Sequence, residues 1–200
     1  AERVSKELLK LLAAPDPRGA VRAMAGAGVL AEVLPEVGAL DLLDAMVERS
    51  GDPVLRLSAL LPPDEAAVAA AAGRLRLSNG QRDRLVAAVG EMPAEMTDRE
   101  VRALLYRIGR DAFCDRLMRT AASSAIGAEA VERLERLAEG WTRPKMPVGG
   151  REVAKAGLAP GPETGRVLAA FETSWIADDF PTAGHAERLA VAIRSLSAPS

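Results

Sequence analysis

Helical periodicity interrupted by glycine and proline is the feature that most constrains the fold of this chain. Apolar residues recur every three or four positions within short segments, as at Val101, Leu104, Leu105 and Ile108, and Gly109 then ends the segment. No segment alternates apolar and polar residues with the period of two that a half-buried strand shows. The sequence therefore predicts an all-α fold.

Helix-start signals mark where the helices begin. Asp16-Pro17 and Asp52-Pro53 each place a capping aspartate before a first-turn proline, and Thr97 with Glu100 has the spacing of a capping box. The intervening loops are short, which favours antiparallel neighbours, so we expect an irregular array of antiparallel helical hairpins with about 10–12 helices. The two Asp-Pro starts lie 36 residues apart, but no third copy follows, so a repeat solenoid fits less well.

Composition excludes several classes of protein. Aromatic residues make up 3% of the 200 residues, so aliphatic and alanine side chains must build the core. A single cysteine, Cys114, and a single histidine, His185, exclude an internal disulfide and any metal site built on clustered cysteines or histidines. No apolar run reaches the roughly 18 residues of a membrane span. No secretory leader opens the chain, so we expect a cytoplasmic protein without a membrane partner.

Charge is unevenly distributed along the chain. Residues 1–73 hold 7 basic and 11 acidic side chains, whereas residues 74–166 hold 17 basic and 13 acidic ones. The middle of the chain is therefore where a polyanion would dock. The alternative is a set of solvated helix faces, because most of these arginines have acidic neighbours one helical turn away.

A glycine- and proline-rich stretch at 157–168 separates two helical patterns. Pro162 suits a first helical residue, and Gly161 before it can adopt a backbone shape that other residues resist. The amides of Glu163, Thr164 and Gly165 would then point out of a helix start and could hold a phosphate. The alternative is a plain tight turn between two packed helices.

A search for catalytic chemistry finds no site. The chain has no phosphate-binding loop ending in Lys-Ser/Thr, and one histidine cannot form an HExxH motif. Asp178-Asp179 fits a helix end better than a metal site, since two ligands rarely suffice. We predict no catalytic residue and no metal site, and a helical module that could bind a polyanion.

Several segments carry a family resemblance. They include residues 2–12 and 20–35, Leu-Ser-Ala-Leu-Leu-Pro at 57–62, Arg-Leu-Arg-Leu-Ser at 74–78, and the stretch from 147 to 168 that ends in Gly-Leu-Ala-Pro-Gly-Pro-Glu-Thr-Gly-Arg-Val-Leu. Together, over roughly residues 1–178, they resemble bacterial CCA-adding tRNA nucleotidyltransferases and their poly(A) polymerase relatives. The resemblance implies neck-like helices at 1–36, a helical body at 37–140 and a tail with the Gly/Pro motif at 141–200.

The resemblance also implies an activity that these residues do not themselves supply. The family adds C, C and A to tRNA 3′ ends without a nucleic-acid template, using a head domain with paired metal-binding aspartates and a Glu-Asp-x-x-Arg motif that reads the base. This sequence has no Asp-x-Asp on a strand and no Glu-Asp-x-x-Arg. The chain begins inside a helical pattern without an initiator methionine, so we expect both motifs to precede Ala1 in a longer protein. Mg²⁺ and CTP or ATP would bind to that missing head, and we expect no cofactor in this chain. The chain alone should therefore transfer no nucleotide.

The sequence thus predicts a tRNA-binding scaffold whose partners are tRNA and the missing head. Phosphate contacts should dominate, because RNA helices are recognised mostly by shape and backbone. The predicted RNA-binding residues are Arg74, Arg76, Arg82, Arg84, Arg143, Lys145, Arg151, Lys155, Gly161, Glu163, Thr164, Gly165 and Arg166. The alternative is a helical protein-interaction module with no RNA role, which added salt would weaken much less.

Overall fold

Every regular element in the described part of the chain is a helix. A computed structural model describes residues 2–38, 40–93 and 95–197, and the all-α prediction is confirmed there. The described residues form thirteen helices, one above the expected range, because short helices of five and six residues count separately. They are α1 Glu2–Leu12, α2 Arg18–Gly26, α3 Val29–Val33, α4 Asp41–Val47, α5 Pro53–Leu60, α6 Glu65–Arg74, α7 Asn79–Val89, α8 Asp98–Ile108, α9 Arg110–Ala122, α10 Ala128–Glu139, α11 Gly150–Lys155, α12 Pro162–Ala177 and α13 His185–Ser197.

Most predicted caps form as their spacing indicates. At the start of α5, Asp52 Oδ1 accepts hydrogen bonds from the amides of Val54 at 2.9 Å and Leu55 at 3.0 Å. Before α8, the Thr97 amide donates to Glu100 Oε2 at 2.7 Å, and the Glu100 amide donates to Thr97 Oγ1 at 3.3 Å. These bonds satisfy amides that a helix start otherwise leaves without partners.

The chain divides into two compact units, Ala1–Trp141 and Thr142–Ser200. In the first unit, Leu8 and Leu12 of α1 are buried in the same cluster as Leu57 and Leu60 of α5. A second cluster joins α8, α9 and α10 through Leu105, Phe113 and Leu134, among others. Helix α1 is therefore anchored in a core that later helices share. The expected domain boundary between residues 1–36 and 37–140 stays a prediction.

The second unit is organised around α12. Val167, Phe171 and Trp175 of this helix are buried, and α13 packs against it with Leu189 and Ala192 buried. The Trp175 indole N–H donates to the carbonyl of Pro181 at 3.0 Å, which closes the turn between the two helices. This unit therefore has apolar packing of its own despite its small size.

Buried arginines satisfy the carboxyl ends of helices in the first unit. Arg56 is 3% exposed, and its Nη1 donates to the carbonyls of Leu12 at 2.7 Å and Ala14 at 2.6 Å, at the end of α1. Arg119 is 8% exposed and donates to the Leu61 carbonyl at 3.0 Å, at the end of α5. The last carbonyls of a helix lack intrahelical partners, and a guanidinium offers several donors at once. These cations therefore hold the fold together and do not face a ligand.

Among the residues that the structure describes, none of the helices combines the length and the apolar character needed to cross a membrane.

Candidate RNA-binding surfaces

The Gly/Pro motif begins α12 as predicted, but without a conformation that requires glycine. Pro162 is the first helical residue, and Gly161 before it is extended, with φ 173°. Any residue adopts this φ, so the expectation of a glycine-specific backbone shape is wrong. A Cβ atom added at Gly161 or at Gly165 would meet nothing within 4 Å, so both positions face open space.

The turn itself already uses some of the groups that we expected to face a phosphate. The Thr164 amide donates to the Gly161 carbonyl at 3.0 Å, and the Gly161 amide donates to Thr164 Oγ1 at 3.3 Å. Arg166 Nη2 donates to Glu163 Oε1 at 3.0 Å, and both side chains are exposed. Phosphate binding at this motif therefore stays a prediction. It would require Arg166 to leave its ion pair with Glu163 and to pair with an RNA phosphate instead.

Cations with no acidic partner lie in the short helix α11 and the loop before it. Lys145, Arg151 and Lys155 are exposed and form no ion pair within the described part of the second unit. Arg143 is also exposed but contacts another group. Arg151 and Lys155 are four residues apart, which places them on one side of α11.

The acidic residue of α11 is directed towards the start of its own helix. Glu152 Oε2 accepts a hydrogen bond from the Gly149 amide at 2.9 Å. This backbone hydrogen bond holds the pKa of Glu152 below its ordinary value. The carboxylate therefore caps the helix, and it forms no ion pair with Arg151 or Lys155.

In the first unit, three of the four predicted arginines are paired. Arg74 donates to the Val33 carbonyl at 2.8 Å and pairs with Glu36, and Arg82 pairs with the adjacent Asp83 at 3.0 Å. Arg84 lies between the carboxylates of Asp115 and Asp52, and its hydrogen bonds to them raise the pKa of its guanidinium. Their charges are therefore largely neutralised within the protein.

Arg76 differs from the other three predicted arginines. Its side chain is 68% exposed and has only a loose pairing with Glu2, at 4.0 Å. Its φ of 52° places it in the left-handed region directly after α6. Helices often end in this conformation, which favours glycine and is costly for a residue with a side chain. Arg76 is the cation of this set that is best placed to reach a phosphate.

Helix α1 carries three exposed cations that are not among the predicted RNA-binding residues: Arg3, Lys6 and Lys10. They form no ion pair within the described residues. Their spacing of three and four residues was the available signal. The negative charge balance of residues 1–73 hides this signal.

An apolar groove runs beside α1. It has a volume of about 420 Å³ and is lined by Val4, Leu8, Leu11, Met24 and Val33, with Arg3 and Glu7 among its lining residues. Val4 is 43% exposed there.

The remaining candidate residues show no catalytic grouping. Cys114 is half-buried, and burial raises the pKa of its thiol. His185 begins α13, is half-buried, and its ring meets Phe171 edge-on at 6.3 Å. Within the described residues, no three His, Cys, Asp or Glu side chains are grouped so that they could hold a metal ion.

The first unit thus combines helices fixed by buried arginines with exposed cations that form no ion pair among the described residues. Comparison with known families gives one similarity, for the start of the chain. Residues 1–40 match the family described as the probable RNA and SrmB-binding site of polymerase A. This match supports assignment of residues 1–40 to the RNA-binding region of the poly(A) polymerase family. The search of curated proteins gives no significant match.

Proposed function

We propose that this chain is the RNA-binding helical region of a template-independent nucleotidyltransferase, and that tRNA is the RNA it holds. The observation that carries the proposal is the match of residues 1–40 to the RNA-binding region of polymerase A. The α1 cations within this match are exposed and have no acidic partner among the described residues. Helix α1 thus lies within the segment that matches an RNA-binding region and also carries exposed cations that could bind phosphates.

The choice of tRNA rests on sequence beyond residue 40. The segments at 57–62, 74–78 and 147–168 resemble CCA-adding enzymes. The last of these segments contains Arg151 and Lys155, and Lys145 lies two residues before it. Exposed lysines and arginines on rigid helices can neutralise phosphates without reading bases, which suits the stems of a folded RNA. In this proposal the protein is cytoplasmic, and a catalytic head with Mg²⁺ and CTP or ATP performs the nucleotide transfer to the RNA that this chain holds.

Salt-dependent binding tests the proposal. The full chain is titrated against a fluorescent tRNA transcript that lacks its CCA end, between about 50 and 200 mM salt. We expect the logarithm of the affinity to fall linearly with the logarithm of the salt concentration, by about 0.7–0.9 for each phosphate contact. Absence of binding at the lowest salt, or an affinity that salt leaves unchanged, would contradict an RNA-binding role.

A second candidate function is supported by the apolar groove beside α1. A groove of about 420 Å³ with an exposed valine could receive an apolar helix of a protein partner. Such docking buries apolar surface and is much less sensitive to salt than phosphate binding. Replacing Val4 with Gln should abolish protein docking and leave the salt dependence of tRNA binding unchanged, which separates the two functions.

A further inference from the structure

We propose that Arg3, Lys6 and Lys10 form a phosphodiester-binding edge on α1, along which one strand of the RNA backbone runs. The RNA partner in this inference rests on the function proposed above. The inference adds which side chains of the matched segment bind RNA and which of its cations do not.

The spacing of the three residues places them on one side of the helix. At about 100° of rotation per residue, positions 3, 6 and 10 fall within an arc of about 60°. At about 1.5 Å of rise per residue, they extend about 10 Å along the helix axis. Lysine and arginine side chains are long and mobile, so three cations spread over this length can contact successive phosphates of one backbone strand. The edge therefore matches a short run of backbone with one cation for each phosphate.

The other cations of the matched segment are already paired. Arg18 lies 2.8 Å from Asp16 and 2.6 Å from Glu48, and Arg22 pairs with Asp44. Binding a phosphate through either arginine would first break an ion pair. Arg3, Lys6 and Lys10 form no ion pair among the described residues, so they can bind a phosphate without that cost.

Two glutamates border the edge, and neither neutralises it by direct pairing. Glu2 lies 4.0 Å from Arg76, so its nearest cationic partner is on another element. This places Arg76 beside the first turn of α1, where it adds a further cation. Glu7 is one of the residues that line the apolar groove beside α1.

The helix that carries the edge is held rigidly. Leu12 on its opposite side is fully buried, and Arg56 fixes the end of the helix through the Leu12 and Ala14 carbonyls at 2.7 and 2.6 Å. A positioned helix loses little backbone freedom on binding, so only the long side chains must become ordered.

A matched pair of triple variants of the full chain tests the edge. The first variant is Arg3→Gln/Lys6→Gln/Lys10→Gln, which removes the three cations of α1 that form no ion pair among the described residues. The control is Arg18→Gln/Arg22→Gln/Arg136→Gln, which removes the same charge from three paired arginines, one half-buried and two exposed, the last paired with Glu132 at 3.7 Å. Both are titrated with the tRNA transcript lacking CCA over the same salt series.

In a plot of the logarithm of the affinity against the logarithm of the salt concentration, we expect the magnitude of the slope to fall by about 2–3 for the edge variant. For the control, we expect a fall smaller than the value of one phosphate contact, about 0.7. An edge variant with the parental slope overturns the inference while RNA binding by the parent still stands. A parent that shows no salt-dependent binding contradicts both this inference and the proposed function. If thermal melting shows that the edge variant is destabilised, the single variants Lys6→Gln and Lys10→Gln decide, each with an expected loss of about 0.7–0.9.

Discussion

Arg84 of α7 and Asp115 of α9 form a two-point ion pair: Arg84 Nη2 lies 3.1 Å from Asp115 Oδ1, and Arg84 Nε donates to the other carboxylate oxygen. The remaining terminal nitrogen, Nη1, lies 2.8 Å from Oδ2 of Asp52, the residue that caps α5. One guanidinium thus joins three helices. Because two carboxylates already surround it, its role in this structure is to stabilise the fold.

Replacing Arg84 should therefore destabilise the first unit. We expect Arg84→Ala to lower the free energy of unfolding by about 2 kcal/mol, because Asp115 is 8% exposed and would lose its partner. Chemical denaturation followed by circular dichroism measures this change. The control is Arg82→Ala, whose pair with Asp83 is exposed and which should cost less than about 0.5 kcal/mol. Equal losses in the two variants would contradict the role assigned to Arg84.

The ion pairs of Asp52 and Asp16 predict how the free energy of unfolding depends on pH. Burial raises the pKa of Asp52, but the hydrogen bonds from Arg84 and from the Leu55 amide outweigh it and hold this pKa below its ordinary value. Hydrogen bonds from Arg18 lower the pKa of Asp16 to about 2. A carboxyl whose folded pKa is depressed stabilises the fold above its unfolded pKa, about 3.9, and this contribution is lost as the pH falls through the folded pKa.

We therefore expect the free energy of unfolding to decrease as the pH falls from about 4 to about 2. The variant Asp52→Asn should show a smaller decrease over this window, because asparagine keeps the cap of α5 but does not titrate. Denaturation at a series of pH values measures both curves. A variant with the parental pH dependence would show that Asp52 does not contribute to it.

Burial of α1 gives a prediction about the anchoring of the matched segment. Leu12 is 0% exposed and packs in the cluster that contains Leu57 and Leu60. Leu12→Ala should lower the free energy of unfolding by about 2–5 kcal/mol, through lost burial and the cavity left behind. Lys10→Ala on the exposed side is the control and should change stability by less than about 0.5 kcal/mol. If Leu12→Ala melts at the parental temperature, α1 is not anchored as described.

Features set by neighbouring residues could be predicted from the sequence. Thr97 and Glu100 lie three positions apart and cap the helix that their spacing indicates. Pairings between distant positions could not be predicted. Arg84 and Asp115 are 31 positions apart, and no pattern shows which carboxylate a guanidinium will meet.

Counting cations therefore overstated the positive surface of residues 74–166. Arg116 and Arg119 are 8% exposed and donate to backbone carbonyls, and burial lowers the pKa of both. The edge on α1 was accessible to sequence reasoning, because its spacing is visible without a structure. Charge summed over residues 1–73 is negative and hides this edge, whereas charge counted on the single face of α1 reveals it.

The left-handed conformation of Arg76 allows charge and backbone strain to be separated. Arg76→Gly relieves a conformational cost of about 1–2 kcal/mol, partly offset by the greater freedom of glycine in the unfolded chain, about 0.5–1 kcal/mol. We expect it to raise the free energy of unfolding by about 0.5–1 kcal/mol. Arg76→Ala removes the same charge but keeps the strain, so its stability should stay near the parental value.

Both Arg76 variants should bind tRNA more weakly and lose about 0.7–0.9 from the magnitude of the salt slope. Salt titrations with the tRNA transcript, alongside denaturation, measure the two effects in the same samples. If Arg76→Gly gains stability and neither variant changes the slope, Arg76 does not contact RNA.

The start of α12 gives the last prediction, because Gly165 faces open space next to the Glu163–Arg166 pair. A side chain fits there without a clash, and replacing a helical glycine with glutamate or glutamine should stabilise the helix by about 0.5–1 kcal/mol in either case. The two variants differ only in charge. If a phosphate lies beside this turn, Gly165→Glu should weaken tRNA binding and reduce the salt slope by about 0.7–0.9, whereas Gly165→Gln should keep the parental slope. Salt titrations of both variants with the tRNA transcript make the comparison. Should both variants retain the parental affinity and slope, the motif is a turn between two packed helices, and the RNA is held elsewhere.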